Sequence, residues 1–254
     1  MPSLPILFDS PDFIAINKPA HLAAIPGRGE TTCAIAQLAG QIDLPCSGST
    51  DPRLRVVHRL DKDTTGVLLF AKHIEAQRHL SHQFQNNRVT KTYLAIVRGS
   101  PSGDEGTIDA PIGPHPTDRR RMAVTKHGRS AVTVWQVEAR YRGFALLRCF
   151  PRTGKTHQIR VHLAHLGLPL AFDELYNPSR EPRVEARPPG LYLSDFKRGY
   201  QRKRDEVERP LIARLTLHAE KLQFDDLAAR RVQIAAEVPR DIRATINMLQ
   251  KYAR

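Results

Sequence analysis

Two segments of this chain carry residue types whose spacing suits catalysis. The first is Val57-His58-Arg59-Leu60-Asp61-Lys62-Asp63-Thr64-Thr65-Gly66. It sets one carboxylate, Asp61, between two cationic side chains and just before a small turn of Thr64, Thr65 and Gly66. The second is Thr153-Gly154-Lys155-Thr156-His157-Gln158-Ile159-Arg160-Val161-His162, which repeats the theme with the charge reversed around Arg160. A carboxylate in a closed pocket needs a cation to stay ionised, and the two segments supply both partners. An isolated Asp beside an Arg before a turn is ordinarily a surface ion pair or a cap, so the chemistry rests on the whole pattern.

These residues need rigid elements to hold them. Val67 to Ala71 is an unbroken apolar run, the pattern of a buried strand, and it begins directly after the Asp61 turn. Ile74 to Gln85 follows with Ala76, Leu80 and Phe84 on one helical face. Val89 to Val97 alternates and puts Tyr93 on the same strand face as Ala95 and Val97. Upstream, Ile6–Phe8 and Phe13–Ile16 read as short strands around a turn, and Thr31 to Ala39 as a short helix. Ala131–Tyr141 and Phe144–Phe150 form an expected hairpin about Arg142-Gly143. A short helix from about Thr156 carries Arg160 and stops at Gly167 and Pro169. Residues 99–106 read as a loop. Residues 178–210 read as a long surface insertion holding one short strand, Leu191 to Leu193. A strand within 211–224 and a helix from Arg240 to Tyr252 complete the pattern. Strands outnumber helices and neighbours pair as hairpins, which predicts an α+β fold around a mostly antiparallel sheet.

Composition narrows the partner. Lys and Arg number 39 against 26 Asp and Glu, a formal net charge of +13. Such an excess favours a polyanion, RNA or DNA. The basic stretch from His115 to Arg129 holds Arg119, Arg120, Arg121, Lys126 and Arg129 against one acid, Asp118. The three cysteines, Cys33, Cys46 and Cys149, have neither disulfide-framework nor zinc spacing. His157, His162 and His165 share a helix, but no carboxylate or Cys completes a metal set. There is no apolar run of membrane length and no basic leader at the start. A cytoplasmic, monomeric protein with no membrane association, no obligate protein partner and no cofactor is the expectation.

The full string around Asp61 resembles the signature of the RluA-type family of RNA pseudouridine synthases, in which this Asp is the essential catalytic carboxylate. Four further segments resemble the same family, in its order and spanning residues 8 to 224. They are Asn17-Lys18-Pro19 with Pro26-Gly27, the strand Lys91 to Gly99 with Tyr93, the helix start Thr153 to Arg160, and Leu217-His218-Ala219. The resemblance implies a pseudouridine synthase fold: a mixed, mostly antiparallel sheet in two halves with a central active-site cleft. It implies Asp61, Tyr93 and Arg160 as catalytic residues, with Arg160 set against Asp61 and Tyr93 stacking on the base. It further implies substrate contacts from His58, Arg59, Leu60, Thr65, Arg119, Arg120, Arg121, Lys155, His157 and Leu217. Arg59 would fill the gap left by an extruded uridine, and His58 would contact RNA or simply pack. The expected partner is structured RNA, a ribosomal or transfer RNA stem-loop, and the expected reaction needs no metal or nucleotide.

There are departures from the family pattern. Many relatives carry an N-terminal S4-type RNA-binding domain, whereas here the motifs begin almost at residue 8. A single catalytic domain over residues 1–254 is therefore expected, with recognition coming from that domain. Phe172 and Asn177 stand where glycine is usual in the segment Pro169 to Asn177, which leaves the role of Asp173 open. Two other readings remain: a non-catalytic RNA-binding protein on the same fold, and an Asp-dependent glycosidase that releases free base.

Overall fold

The computed structural model describes residues 3–27, 32–46, 53–177, 188–201 and 207–254. The chain divides into two compact units, Met1–Tyr93 with His218–Glu237 and Leu94–Leu217 with Val238–Arg254. Two of the three changes of unit, after Tyr93 and after Leu217, fall within strands, and the third, after Glu237, falls in a connection. Among the described residues, no helix is long and apolar enough to cross a membrane.

The first unit is built on β1 (Ile6–Asp9), β2 (Phe13–Lys18), β3 (Arg55–Val56), β4 (Thr65–Ala71), and most of β11 (Leu217–Asp225), with β12 (Arg231–Ala235). The strand order is β1-β2-β4-β11, with β12 on β11 and β3 on β4. The apolar run of β4 is explained by burial on both faces. Leu68 and Phe70 pack with Ile14, Ile16 and the helix α1 (Ala34–Gln41) through Ala34, Ile35 and Leu38. Val67, Leu69 and Ala71 pack on the other side with Ala76 and Leu80 of α2 (Ile74–Gln85) and with Leu222 and Phe224 of β11. The pairing of β11 with β4 is parallel and sets His218 beside Thr65 and Ala219 beside Gly66. Gly66 lies at φ +113°, and a Cβ there would sit 2.1 Å from the Ala219 carbonyl oxygen, so only glycine fits this approach.

The second unit orders its strands as β5-β10-β9-β6, with β5 (Thr90–Arg98) entering from the first unit, then β10 (Phe144–Pro151), β9 (Val132–Tyr141) and β6 (Glu105–Asp109). A separate hairpin pairs β7 (Ile112–Pro114) with β8 (Met122–Val124). The β9–β10 hairpin turns at Gly143, which has φ +77°. α3 (Gln158–His165) packs through Val161 against Ile112, Ala131 and Tyr176. α4 (Arg240–Tyr252) buries Ile242 and Leu249 in the cluster of Leu94, Ile96, Phe144 and Leu146. Its first turn is tied down by Arg214, whose Nε and Nη2 bind the Asp241 carboxylate at 2.7 and 2.6 Å.

The structure corrects several expectations. Residues 105 and 106, the end of the expected 99–106 loop, already belong to strand β6, and β7, β8 and β12 add strands that the alternation pattern does not reveal. The helix expected at Thr31–Ala39 runs Ala34–Gln41, with Thr31 outside the described residues. Much of 178–210 also lies outside them, but 188–201 is not plain surface. Leu191, Tyr192 and Phe196 are buried; Leu191 and Phe196 pack in the α4 cluster, and Glu208 accepts hydrogen bonds from Ser194 N and Oγ at 2.9 and 2.7 Å. In place of the expected strand there is a lone bridge, Leu191 to Ile212, and a 3-10 turn over Leu193–Asp195.

Candidate active site

Asp61 stands on the connection between β3 and β4, and its carbonyl accepts from Thr64 N at 3.1 Å to close the turn. The turn is held from below by Lys18, the last residue of β2. Lys18 is fully buried, and its ammonium donates to the carbonyls of Pro19, Leu22 and Lys62 at 2.8 Å each. The last of these belongs to the residue after Asp61. A buried ammonium is costly unless its donors are satisfied, and here each of its three protons has an acceptor. Thr64 and Thr65 are buried as well. His218 Nε2 lies 3.3 Å from the Ala236 carbonyl, which can only accept, so Nδ1 is left to accept the Thr65 hydroxyl at 2.9 Å. Lys18 and His218 thus fix the two ends of the Asp61 turn. Both lie in motifs visible in the sequence, but neither role shows there.

Tyr93 packs against the core layer that includes Leu60, Leu68 and Phe70. Burial, and after it the charge of Asp61, holds its phenol well above the usual tyrosine range. It is therefore a neutral phenol that can donate a hydrogen bond or stack, not a tyrosinate base.

His58 packs. Its ring stacks on Phe84 at 4.7 Å between centroids, and its Nε2 accepts from Leu69 N at 3.0 Å. Burial first, and the charge of Lys91 second, push its pKa down to about 3. The unfolded chain, with an ordinary histidine near 6.5, takes up a proton as pH falls below that value, whereas the folded chain does not. The contribution of His58 to stability is therefore complete above pH 6.5 and is lost progressively from there toward pH 3, at up to ~1.4 kcal/mol per pH unit. Denaturant unfolding of wild type and His58→Gln across pH 4 to 7 reads this. The variant is expected to lose about one proton's worth of slope; equal slopes would assign the acid sensitivity elsewhere.

Of the other expected contacts in this unit, Arg59 is exposed, while Leu60 is taken into the core. Leu217, in the second unit, is likewise buried.

In the second unit, Gln158 organises the Thr153–Arg160 segment, a role the sequence does not announce. Its Oε1 accepts from Thr153 Oγ1 at 2.7 Å and from Lys155 N at 2.9 Å, while its Nε2 donates to Val132 O and Thr133 Oγ1 at 2.9 and 3.0 Å. His157 caps α3 in a left-handed conformation, φ +56°. Arg160 is nearly buried and forms a bidentate pair with Asp173, Nε to Oδ2 and Nη2 to Oδ1, both 2.8 Å. Asp173 Oδ1 also accepts from Leu175 N and Tyr176 N at 3.0 and 3.2 Å. Phe172 and Asn177 do not take up a positive φ, so the missing glycines are not needed. Asn177 closes the turn with its amide, donating to Leu170 O at 2.9 Å.

The first part of the basic stretch, residues 115–121, forms the connection of the β7–β8 hairpin, and Lys126 and Arg129 follow β8. Arg119 and Arg120 are exposed; Arg120 pairs with Asp118 at 3.2 Å and draws its carboxyl below the usual range. Such an exposed pair is weak and exchanges readily for a phosphate. Arg121 is half-buried, with its guanidinium over the Tyr176 ring at 5.3 Å. Of the helix histidines, His162 is fully buried and bonded to Thr133 Oγ1 and Ala110 O, both at 2.9 Å. No group of metal-binding residues occurs among the described residues.

The mixed, mostly antiparallel sheet, with four helices among the described residues, is an α+β architecture, and solved pseudouridylate synthase domains share this fold. The chain belongs to the RNA pseudouridylate synthase family, in its RluA-type branch: residues 12–165 match the family model of that description. A ribosomal large subunit pseudouridine synthase D of Xanthomonas campestris is 37% identical over 98% of this chain and 70% of its own. The uncharacterized RNA pseudouridine synthase YlyB of Bacillus subtilis is 42% identical over 70% of this chain and 59% of its own. A synthase D of Nitrosomonas europaea is 46% identical over 68% of this chain. The match covers only 49% of that relative, so the chain spans between about half and seven tenths of these proteins. The solved structure of human RNA Pseudouridylate Synthase Domain Containing 1 superposes with a TM-score of 0.68 at 25% identity, covering 93% of this chain and 84% of that one.

Proposed function

We propose that this protein isomerises uridine to pseudouridine in structured RNA, with Asp61 as the catalytic carboxylate. The observation that carries the reading is the Asp61 turn, with Lys18 and His218 pinning its two ends and Tyr93 kept neutral beside its charge. In the reaction the N1–C1′ bond breaks, the uracil turns, and C5 bonds to C1′. C5 gives up its hydrogen to water and N1 gains a proton, so atoms balance without an oxidant or cofactor. Asp61 acts either by adding to C1′ or by removing the 2′-proton, and both routes require it ionised. Tyr93 offers a flat face for the base and a phenolic donor. Arg160 supplies positive charge to the reaction. A paired or stacked uridine must first leave the helix, and exposed Arg59 is suited to fill the gap.

The names of the relatives favour large-subunit ribosomal RNA as the first substrate to try, with transfer RNA second. The test is tritium release from RNA labelled at uridine C5, using the purified chain alone. Release to water supports the isomerase. Free uracil without release would support a glycosidase, and binding with neither product would leave a binding protein.

The exposed cations of the β7–β8 connection should hold phosphates. Arg119→Ala with Arg120→Ala is expected to weaken RNA binding and to flatten the plot of log affinity against log salt by up to about two. An unchanged slope in a filter-binding titration would return this hairpin to plain surface.

A further inference from the structure

We infer that Tyr176 is a positioning residue that joins the basic β7–β8 hairpin to Arg160, on the reading above that Arg160 serves the reaction. Tyr176 is 8% exposed, and among the described residues its polar and aromatic contacts run to Arg121, Met122, His157, Arg160 and Asp173. Its ring lies under two guanidiniums, Arg160 at 5.0 Å and Arg121 at 5.3 Å. Its hydroxyl accepts from Met122 N, the first residue of β8, at 2.7 Å, and shares a 2.9 Å hydrogen bond with His157 Nδ1. Its own amide donates to Asp173, the carboxylate that fixes the Arg160 fork.

Each contact has a physical consequence. The bidentate pair with Asp173 sets the plane of the Arg160 guanidinium, and the aromatic face below it removes the remaining freedom to tilt. Among the described residues the Nε of Arg121 has no hydrogen-bond partner, and stacking on Tyr176 is the contact that places this side chain. His157 holds a left-handed backbone that a non-glycine residue adopts at a cost, and the bond to the Tyr176 hydroxyl helps to keep it there. One side chain therefore ties the hairpin backbone, the α3 cap and the reaction's cation together. When RNA seats on Arg119 and Arg120, the hairpin it grips is the one whose backbone fixes the ring beneath Arg160.

The test compares Tyr176→Phe, which keeps the ring and removes the hydroxyl, with Tyr176→Leu, which removes both. Two readouts are taken on the full chain: tritium-release kinetics, and the Arg160 Nε–H signal in a ¹⁵N spectrum, whose sharpness reports a fixed guanidinium. For Tyr176→Phe, the RNA concentration at half-saturation is expected to rise about tenfold, with kcat within about twofold and the Arg160 signal retained. For Tyr176→Leu, kcat is expected to fall about 100-fold and the signal to broaden. If both variants lose kcat alike and only in step with their melting temperatures, Tyr176 is a packing residue and the inference falls. It also falls if the Arg160 signal stays sharp in Tyr176→Leu. Should wild type release no tritium, the proposed function fails instead, and the Arg160 signal still decides whether Tyr176 positions that side chain.

Discussion

Asp61→Asn is expected to reduce tritium release by a factor of about 10³ or more while RNA affinity stays within about twofold of wild type. The substitution keeps the size and planarity of the side chain. It leaves untouched the Thr64 N to Asp61 O bond, the Lys18 contact with Lys62 O, and the Thr65–His218 pair. The turn should therefore keep its shape. What is lost is a group able to attack C1′ or to take the 2′-proton, because an amide does neither at useful rates. A second consequence can be read from Tyr93. Part of what raises its pKa is the Asp61 charge, so the Asn variant should bring the phenol down toward the ordinary range, though burial, the larger cause, remains. Ultraviolet titration of the tyrosines then serves as a check on geometry. Lost activity with a lowered Tyr93 pKa places the charge beside the phenol, as described. Turnover near the wild-type rate would remove Asp61 from the chemistry, whatever the titration shows.

The parts of the fold that were legible in the sequence are those whose burial follows a local period. β4 is apolar on both faces because α1 packs on one and α2 on the other, and its run of Val67 to Ala71 says so without ambiguity. α4 runs over Arg240–Tyr252 as its stripe predicts. The missed strands have no such signal. β6 carries Gly106 and is mostly exposed, β7 and β8 are three residues each, and β12 alternates only weakly. They are strands because a neighbour supplies the ladder, β9 for β6 and β11 for β12, and that information is not local. The candidate site divides in the same way. Asp61, Tyr93 and Arg160 stand in long motifs. By contrast, the Arg160–Asp173 fork, the Gln158 knot and the Tyr176 stack depend on residues brought together by folding. No spacing rule predicts a carboxylate 13 positions away as the partner of a buried arginine. Leu191 and Phe196 were misread as surface for a related reason: the charged and proline-rich surroundings dominate the local pattern, while the side chains themselves reach the α4 cluster.

Lys18→Met is expected to cost on the order of 3 kcal/mol of stability and, separately, to lower turnover by about 100-fold in the fraction that remains folded. Methionine is close to the lysine stem in volume, so no large cavity opens, and losing a buried charge recovers some desolvation energy. The loss comes from three carbonyls, Pro19, Leu22 and Lys62, left without their donor in one stroke. Two of these hold the chain leaving β2. The third is one residue from Asp61, so its loss frees the middle of the carboxylate turn between the Thr64–Asp61 bond and the Thr65–His218 anchor at the far end. A displacement of about 1 Å at a catalytic carboxylate is enough for the stated loss in rate. The comparison that separates the two effects is Leu38→Ala, a fully buried core position of the same unit, expected to cost about 3 kcal/mol by opening a cavity in the α1 layer. Both variants are assayed at a temperature where denaturant curves show each to be folded. A much deeper loss of turnover in Lys18→Met than in Leu38→Ala assigns Lys18 to holding the Asp61 turn. Equal losses would make Lys18 a stabiliser of the first unit and nothing more.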